Sequence, residues 1–164
     1  MLVETARGVV DAAAIARQSA RTCGVVFGAE DFTADAGLVR TRQGAELTPA
    51  RAAVAIAVHA AGVDPIDGIF ADFHDEAGLI ADTTEAHRLG YTGKTLIHPV
   101  QIAPVHRVFA PGPDEVAKAR RIVEAFERAT TAESGVVVVD GAMVDRPVVL
   151  RAQRLLARAE RAGA

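Results

Sequence analysis

An alternation restricts the fold most: short β-branched runs repeatedly give way to longer segments with apolar residues at helical spacing. Leu2-Val3 opens the chain, and Val9 to Ala20 follows as an Ala-rich helical pattern. Cys23-Gly-Val-Val-Phe27 reads as a buried strand leading into an acidic loop, Gly28-Ala-Glu-Asp-Phe32. Thr48 and Pro49 form a cap and first-turn pair for a helix running to Ala61, which Gly62 stops. Gly68-Ile-Phe-Ala71 is the third predicted strand, with a loop over Asp72 to Asp75 and a helix from Glu76 to Leu89, closed by Gly90. Thr95-Leu-Ile97 is the fourth, after which His98-Pro-Val-Gln-Ile102 starts a connection and Pro113 opens a helix to about Ala129. Each helix must return the chain to the same end of the sheet, so the strands are parallel and the class is α/β.

Beyond Ser134-Gly135 the pattern changes. Val136 to Val139, the turn pair Asp140-Gly141 and Ala142-Met-Val144 read as a β-ribbon, and Pro147 to Arg161 as a helix. That helix sets Leu150, Leu155 and Leu156 among Arg151, Arg154, Arg158 and Arg161, the pattern of an amphipathic surface helix. The expected division is therefore a β/α domain over 1–130 and a separate C-terminal segment over 131–164.

Composition narrows the partners. With 50% hydrophobic residues, 4% aromatics and no Trp, the core must be built from Ala, Val, Leu and Ile. A net charge of -3, with no basic cluster among aromatics, gives no field for nucleic acid and favours a small metabolite. The single Cys23 lies in an apolar run, which predicts a buried free thiol and a reducing, cytoplasmic setting. No run reaches the roughly 18 apolar residues a membrane span needs, and no charged leader with an apolar stretch opens the chain, so neither a membrane nor export is expected.

The strand ends carry the chemistry. Glu4 closes the first strand and Asp31 follows the second, so in a parallel sheet both carboxylates emerge at one rim. Two oxygen donors with open positions suit Mg2+, which keeps several waters and rarely accepts a full protein cage. The same residues also admit plainer roles: Glu4 as a rim carboxylate paired with Arg7, and Asp31 as a helix or turn cap. His98 closes the fourth strand as a backbone-bonded histidine or a substrate contact. Asp75 suits the N-cap of the Glu76 helix better than a second metal site with Asp72 and His74. His59, His87 and His106 fall on predicted helix surfaces. No nucleophile-elbow triad and no Gly-rich phosphate loop occurs.

Several longer stretches stand in a recognisable order: Val3-Glu-Thr5, Phe27-Gly-Ala-Glu-Asp31, Ile66-Asp-Gly68, Glu76-Ala-Gly-Leu79, Leu89-Gly-Tyr-Thr-Gly-Lys94, Ile97-His-Pro-Val-Gln-Ile102 and Asp140-Gly-Ala-Met-Val-Asp-Arg-Pro147. With these the chain resembles, from Leu2 onward, the second half of the citrate lyase beta-subunit-like proteins of the HpcH/HpaI aldolase superfamily, which includes malyl-CoA and citramalyl-CoA lyases. The resemblance implies the last four β/α units of a (β/α)8 TIM barrel, followed by a lid of β-ribbon and helix. It makes Glu4 and Asp31 the Mg2+ ligands and assigns the amides around Gly28, Ala29, Glu30 and Asp31 to the carboxylate of a 2-oxo acid. It gives Asp145 a proton-transfer role at the acetyl carbon, on a tail covering a neighbouring subunit's site; from the residues alone Asp145 equally suits the N-cap of the last helix. The implied partners are an acyl-CoA, a 2-oxo acid, and either further copies of this chain or a complementary N-terminal half-barrel. An aldolase that works without CoA is the other enzyme of the superfamily, and the tail bearing Asp145 favours the CoA branch. The family's substrate Arg belongs to an earlier strand, and no Arg here matches it; Arg7 reads as structural. The expectation is thus either a lyase completed by another half-barrel or a catalytically silent half-barrel that associates.

Overall fold

A computed structural model describes residues 1–130 and 136–162, so the Ser134-Gly135 transition lies outside the described residues. The chain forms two compact units, Met1–Phe109 and Ala110–Ala164.

In the first unit the elements run β1 (Leu2–Val3), α1 (Ala6–Val10), α2 (Ala12–Ala16), β2 (Gly24–Phe27), α3 (Ala29–Asp35), α4 (Thr48–Ala60), β3 (Asp64–Asp67), α5 (Glu76–Arg88), β4 (Gly93–Lys94) and α6 (Ile102–Phe109). The strands form one sheet in the order β1-β2-β3-β4, every pair parallel, with Leu2, Val26, Ile66 and Gly93 in one row across it. The class is α/β, and the sheet is half of a barrel that closes with eight strands.

Alternation along the strands decides which face is covered. Val3, Val25 and Phe27 are fully buried in one cluster with Ala12 and Ala16 of α2 and Val54, Ala55 and Val58 of α4. Leu2 points the other way and is 54% exposed. Alanine dominates the helix side because small side chains let the helices lie close on the β-branched strands. Gly62 and Gly90, with φ of 73° and 97°, follow α4 and α5 and end them as expected.

Several boundaries differ from those predicted. The third strand is Asp64–Asp67, and Gly68 to Ala71 already lies beyond it. Its Asp-Pro-Ile-Asp sequence has no β-branched run, yet it pairs with Gly24–Val26, and the Pro65 carbonyl accepts from Thr92 N at 2.9 Å. The fourth strand is Gly93–Lys94, with Thr95 N donating to Asp67 O just past it. The expected loop after β2 is instead α3. The expected helix from Val9 to Ala20 is two short helices that meet at Asp11, whose carboxylate Arg7 Nε binds. Thr48 is the first residue of α4, not its cap, because a 3-10 turn over Ala45–Leu47 runs directly into the helix. Cys23 is exposed, not buried, since it precedes the ladder.

The second unit holds α7 (Pro113–Thr130), β5 (Val137–Val139), β6 (Ala142–Val144) and α8 (Arg146–Ala162). β5 and β6 form an antiparallel ribbon in the register Val138↔Met143, and its turn residues Asp140 and Gly141 both have positive φ, 51° and 77°. Ala119 and Ile122 of α7 share a core with Val144 of β6 and Val149 and Ala152 of α8. That shared core brings α7 into this unit, so the division lies ahead of residue 110 where the sequence reading had set it at 130. No helix among the described residues is long and apolar enough to cross a membrane.

Candidate functional site

The exits of β1 and β2 lie side by side, joined by a hydrogen bond from Gly28 N to Val3 O of 2.8 Å. Glu4 follows β1, and its side chain lies against Gly28: a Cβ at position 28 would stand 2.7 Å from Glu4 Cβ and 3.1 Å from Glu4 Oε2. Gly28 has φ -92°, open to any residue, so glycine is required there for room and not for backbone freedom. Gly28 occupies the N-cap position of α3, whose first turn carries Glu30 and Asp31. Negative charge is favourable at that end of a helix. The turn is held from beneath by the Phe27 and Phe32 rings, 5.5 Å apart, and by Thr33 Oγ1, which donates to Ala29 O at 2.6 Å.

The plainer roles for the two acids are taken by other residues. Arg7 binds Asp11, not Glu4. Thr5, not an acid, caps α1 by accepting from Gly8 N at 3.0 Å, and α3 has no side-chain cap at all. Among the described residues, neither the Glu4 nor the Asp31 carboxylate has a hydrogen bond or ion pair. Glu30 is engaged, accepting from Arg40 Nε at 3.2 Å. Arg40 also reaches Glu46, whose carboxyl is held down at about 2 by the Thr41 hydroxyl and amide ahead of Arg40 itself.

Two carboxylates free of protein partners among the described residues, Glu4 against Gly28 and Asp31 in the first turn of α3, suit a hard cation that keeps much of its water shell. No group of three or more His, Cys, Asp or Glu able to hold a metal occurs among the described residues.

Sequence reasoning missed a buried ring of four charges beneath the same rim. Asp67 accepts from Arg51 through both oxygens, at 3.1 Å and 2.7 Å, and from Lys94 Nζ at 2.5 Å. Asp82 accepts from the same two cations, at 3.0 Å and 2.5 Å. Tyr91 OH donates to the Arg51 carbonyl at 3.0 Å, and burial, reinforced by Asp67, pushes its pKa up. Burial opposes charge on Asp82 as well, but Lys94 and Arg51 outweigh it and hold the carboxyl below its ordinary value. One signal was available: Asp67 and Lys94 each end a strand, at paired positions of adjacent parallel strands.

The remaining candidates have local roles. Asp75 caps α5, accepting from Gly78 N at 2.9 Å, and pairs with Arg42, while Asp72 Oδ1 accepts from His74 N. His98 Nδ1 accepts from Val100 N at 3.2 Å, and its ring stacks on Phe73 with centroids 4.7 Å apart. His59 contacts the Gly90 carbonyl at 2.8 Å. In the second unit Asp145 Oδ1 accepts from Val148 N at 3.2 Å, in register as the N-cap of α8 because the helix starts at Arg146.

Half a parallel β/α barrel with unpartnered acids at the C-terminal ends of adjacent strands defines a rim-site barrel protein. The chain belongs to the HpcH/HpaI aldolase/citrate lyase family, whose model matches residues 1–99. It is 44% identical over 154 residues to the citrate lyase subunit beta of Leuconostoc mesenteroides subsp. cremoris, covering 94% of this chain and 51% of that protein. It is 35% identical over 162 residues to the mitochondrial citramalyl-CoA lyase of Mus musculus, covering 94% of this chain and 48% of that one. Among solved structures, CitE from Mycobacterium tuberculosis in complex with magnesium, acetoacetate and coenzyme A superposes with a TM-score of 0.81 and 35% identity, over 97% of this chain and 60% of the other. The chain thus spans about half the length of the curated relatives it matches.

Proposed function

We propose that this chain supplies the metal-binding half of a Mg2+-dependent carbon–carbon lyase that acts on a short hydroxyacyl-CoA of the citryl-, malyl- or citramalyl-CoA type and yields acetyl-CoA and a 2-oxo acid. The observation that carries the reading is the pair of carboxylates without partners among the described residues, Glu4 directly after β1 and against Gly28, and Asp31 in the first turn of the helix that follows β2. Kinship with citrate lyase subunit beta and citramalyl-CoA lyase supports the reaction class, and the magnesium and coenzyme A in the CitE complex support the cofactor and the ester.

Glu4 and Asp31 would hold the ion, which when bound polarises the hydroxyl and carboxylate of the substrate. Backbone amides of Gly28, Ala29, Glu30 and Asp31 orient the carboxylate of the 2-oxo acid. As the carbon–carbon bond breaks, the substrate hydroxyl gives up its proton to solvent and becomes the carbonyl of the 2-oxo acid, the bond's electrons pass to the thioester enolate, and Asp145 on the tail of a neighbouring copy, in its acid form, delivers a proton to the enolate carbon. The arginines of the first unit's rim are committed elsewhere: Arg40 to Glu30 and Glu46, Arg42 to Asp75, and Arg51 to the buried ring. A cation for the enolate oxygen therefore comes from the other half of the barrel.

Thiol release from citramalyl-CoA, malyl-CoA and citryl-CoA, with and without Mg2+, tests the reading. Turnover is expected when the chain is combined with a complementary N-terminal half-barrel; absence of turnover with every ester in that combination overturns it. The exposure of Leu2 (54%) and Ile97 (49%), beside β1 and β4 at the sheet edges, favours a second reading, a silent half-barrel that associates with itself or a partner chain. In that case the combined halves assemble but release no thiol.

A further inference from the structure

We infer that the buried ring of Arg51, Asp67, Asp82 and Lys94 is a positioning device that sets the spacing of the rim carrying Glu4 and Asp31. The inference rests on the reading of those two acids as the metal-binding pair. Each cation of the ring touches both anions. Arg51 comes from α4, Asp67 from β3, Asp82 from α5 and Lys94 from β4, so one neutral cluster ties four elements together. The side chains of Arg51, Asp67 and Lys94 are 5%, 2% and 1% exposed. Asp82 is 25% exposed and closes the ring on its outer side; among the three buried members, removing one partner leaves a charge that burial penalises. Two helices and two strands are thereby held at fixed separations.

The ring connects to the rim through two close approaches. Gly68, the residue after Asp67, lies so near the exit of β2 that a Cβ there would stand 2.6 Å from Phe27 O and 3.6 Å from Ala29 N. Gly28, the residue after Phe27, lies against the Glu4 side chain, where a Cβ would stand 2.7 Å from Glu4 Cβ. Gly68 thus sets β3 close against the Phe27–Ala29 backbone, and Gly28 N donates to Val3 O at 2.8 Å, so a shift of Asp67 is passed through Gly68 to the exit of β2, and from there to the backbone ahead of Glu4 and to the first turn of α3 that carries Asp31.

The test uses the full 164-residue chain and three variants: Asp67→Asn, which weakens the ring's charge pairing; Gly68→Ala, which leaves the charges intact and forces the strand exits apart; and Val58→Ala, a control that opens the core away from the rim. The readouts are amide chemical shifts at Gly28 to Asp31, which need no metal, and Mn2+ affinity as a probe of the Mg2+ site. Asp67→Asn and Gly68→Ala are expected to move those amides and to weaken Mn2+ binding about tenfold, while Val58→Ala lowers thermal stability and leaves both readouts unchanged. If Asp67→Asn does not fold, Asp82→Asn, which weakens the ring from its more exposed side, decides. Shifts confined to the ring residues, or a rim disturbed equally by Val58→Ala, overturn the inference. A parent chain that binds no Mn2+ overturns the metal reading instead, and the amide shifts still decide the positioning role.

Discussion

At residue 28 a single methyl group is enough to disturb the rim. Gly28→Ala sets a Cβ 2.7 Å from Glu4 Cβ, and neither atom is the loose end of a side chain, so Glu4 must move. Metal affinity is expected to drop about tenfold, worth ~1.4 kcal/mol, and isothermal titration with Mg2+ measures it. Glu4→Gln and Asp31→Asn should weaken binding at least as much while leaving the thermal midpoint nearly unchanged, because neither carboxylate has a partner to lose among the described residues. Glu46 behaves oppositely. Its carboxyl is held at about 2, against an ordinary 4.5, by Thr41 and Arg40. A depressed folded value stabilises above the unfolded pKa, so this contribution is whole near neutrality and is lost as pH falls from about 4.5 towards about 2. Urea midpoints of the parent should therefore fall more between about pH 5 and pH 3 than those of Glu46→Gln. The positions of Glu4 directly after β1 and of Asp31 just past β2 were legible in the sequence, because the β-branched runs mark where those strands end. Arg51 and Asp82 were not, since each lies on a helix whose spacing gives no hint that its charge turns inward.

The elements illustrate how far periodicity reaches. α4 and α5 carry long apolar patterns with a glycine just beyond, and their extents match the expectation to within a residue or so. β3 does not, because Asp64-Pro-Ile-Asp67 becomes a strand only through neighbours that the sequence does not reveal: β2 pairing along it, and Arg51 and Lys94 neutralising the one buried acid. The N-terminus of α8 permits a clean separation of two roles for Asp145. As a cap it satisfies Val148 N, so Asp145→Ala should cost about 1 kcal/mol of stability. Asp145→Ser keeps a capping oxygen and removes the carboxylate; it should unfold like the parent in urea yet abolish turnover in the completed enzyme. A serine variant that retains full turnover would reduce Asp145 to its structural duty.

On the scale of the whole chain, four parallel strands leave β1 and β4 as open edges with Leu2 exposed on the uncovered face. Sheets of this kind are ordinarily covered on both faces. Sedimentation at micromolar concentration is expected to give the mass of at least two chains, and Leu2→Asp to shift the population towards one; a parent that stays monomeric throughout would contradict this. The half-barrel itself was legible from the count of strand and helix repeats, whereas the position of the division was not, because α7 has the same helical pattern whichever core receives it. The two units have separate cores, one under the sheet and one among α7, β6 and α8. Asp145 is thus mounted on a scaffold whose packing owes nothing to the residues around Glu4 and Asp31. If Asp145 is the proton donor and Glu4 and Asp31 hold the ion, as proposed, the two can be retuned independently, and a chimaera that borrows this tail from a relative should inherit that relative's protonation behaviour without altering how tightly the ion is held.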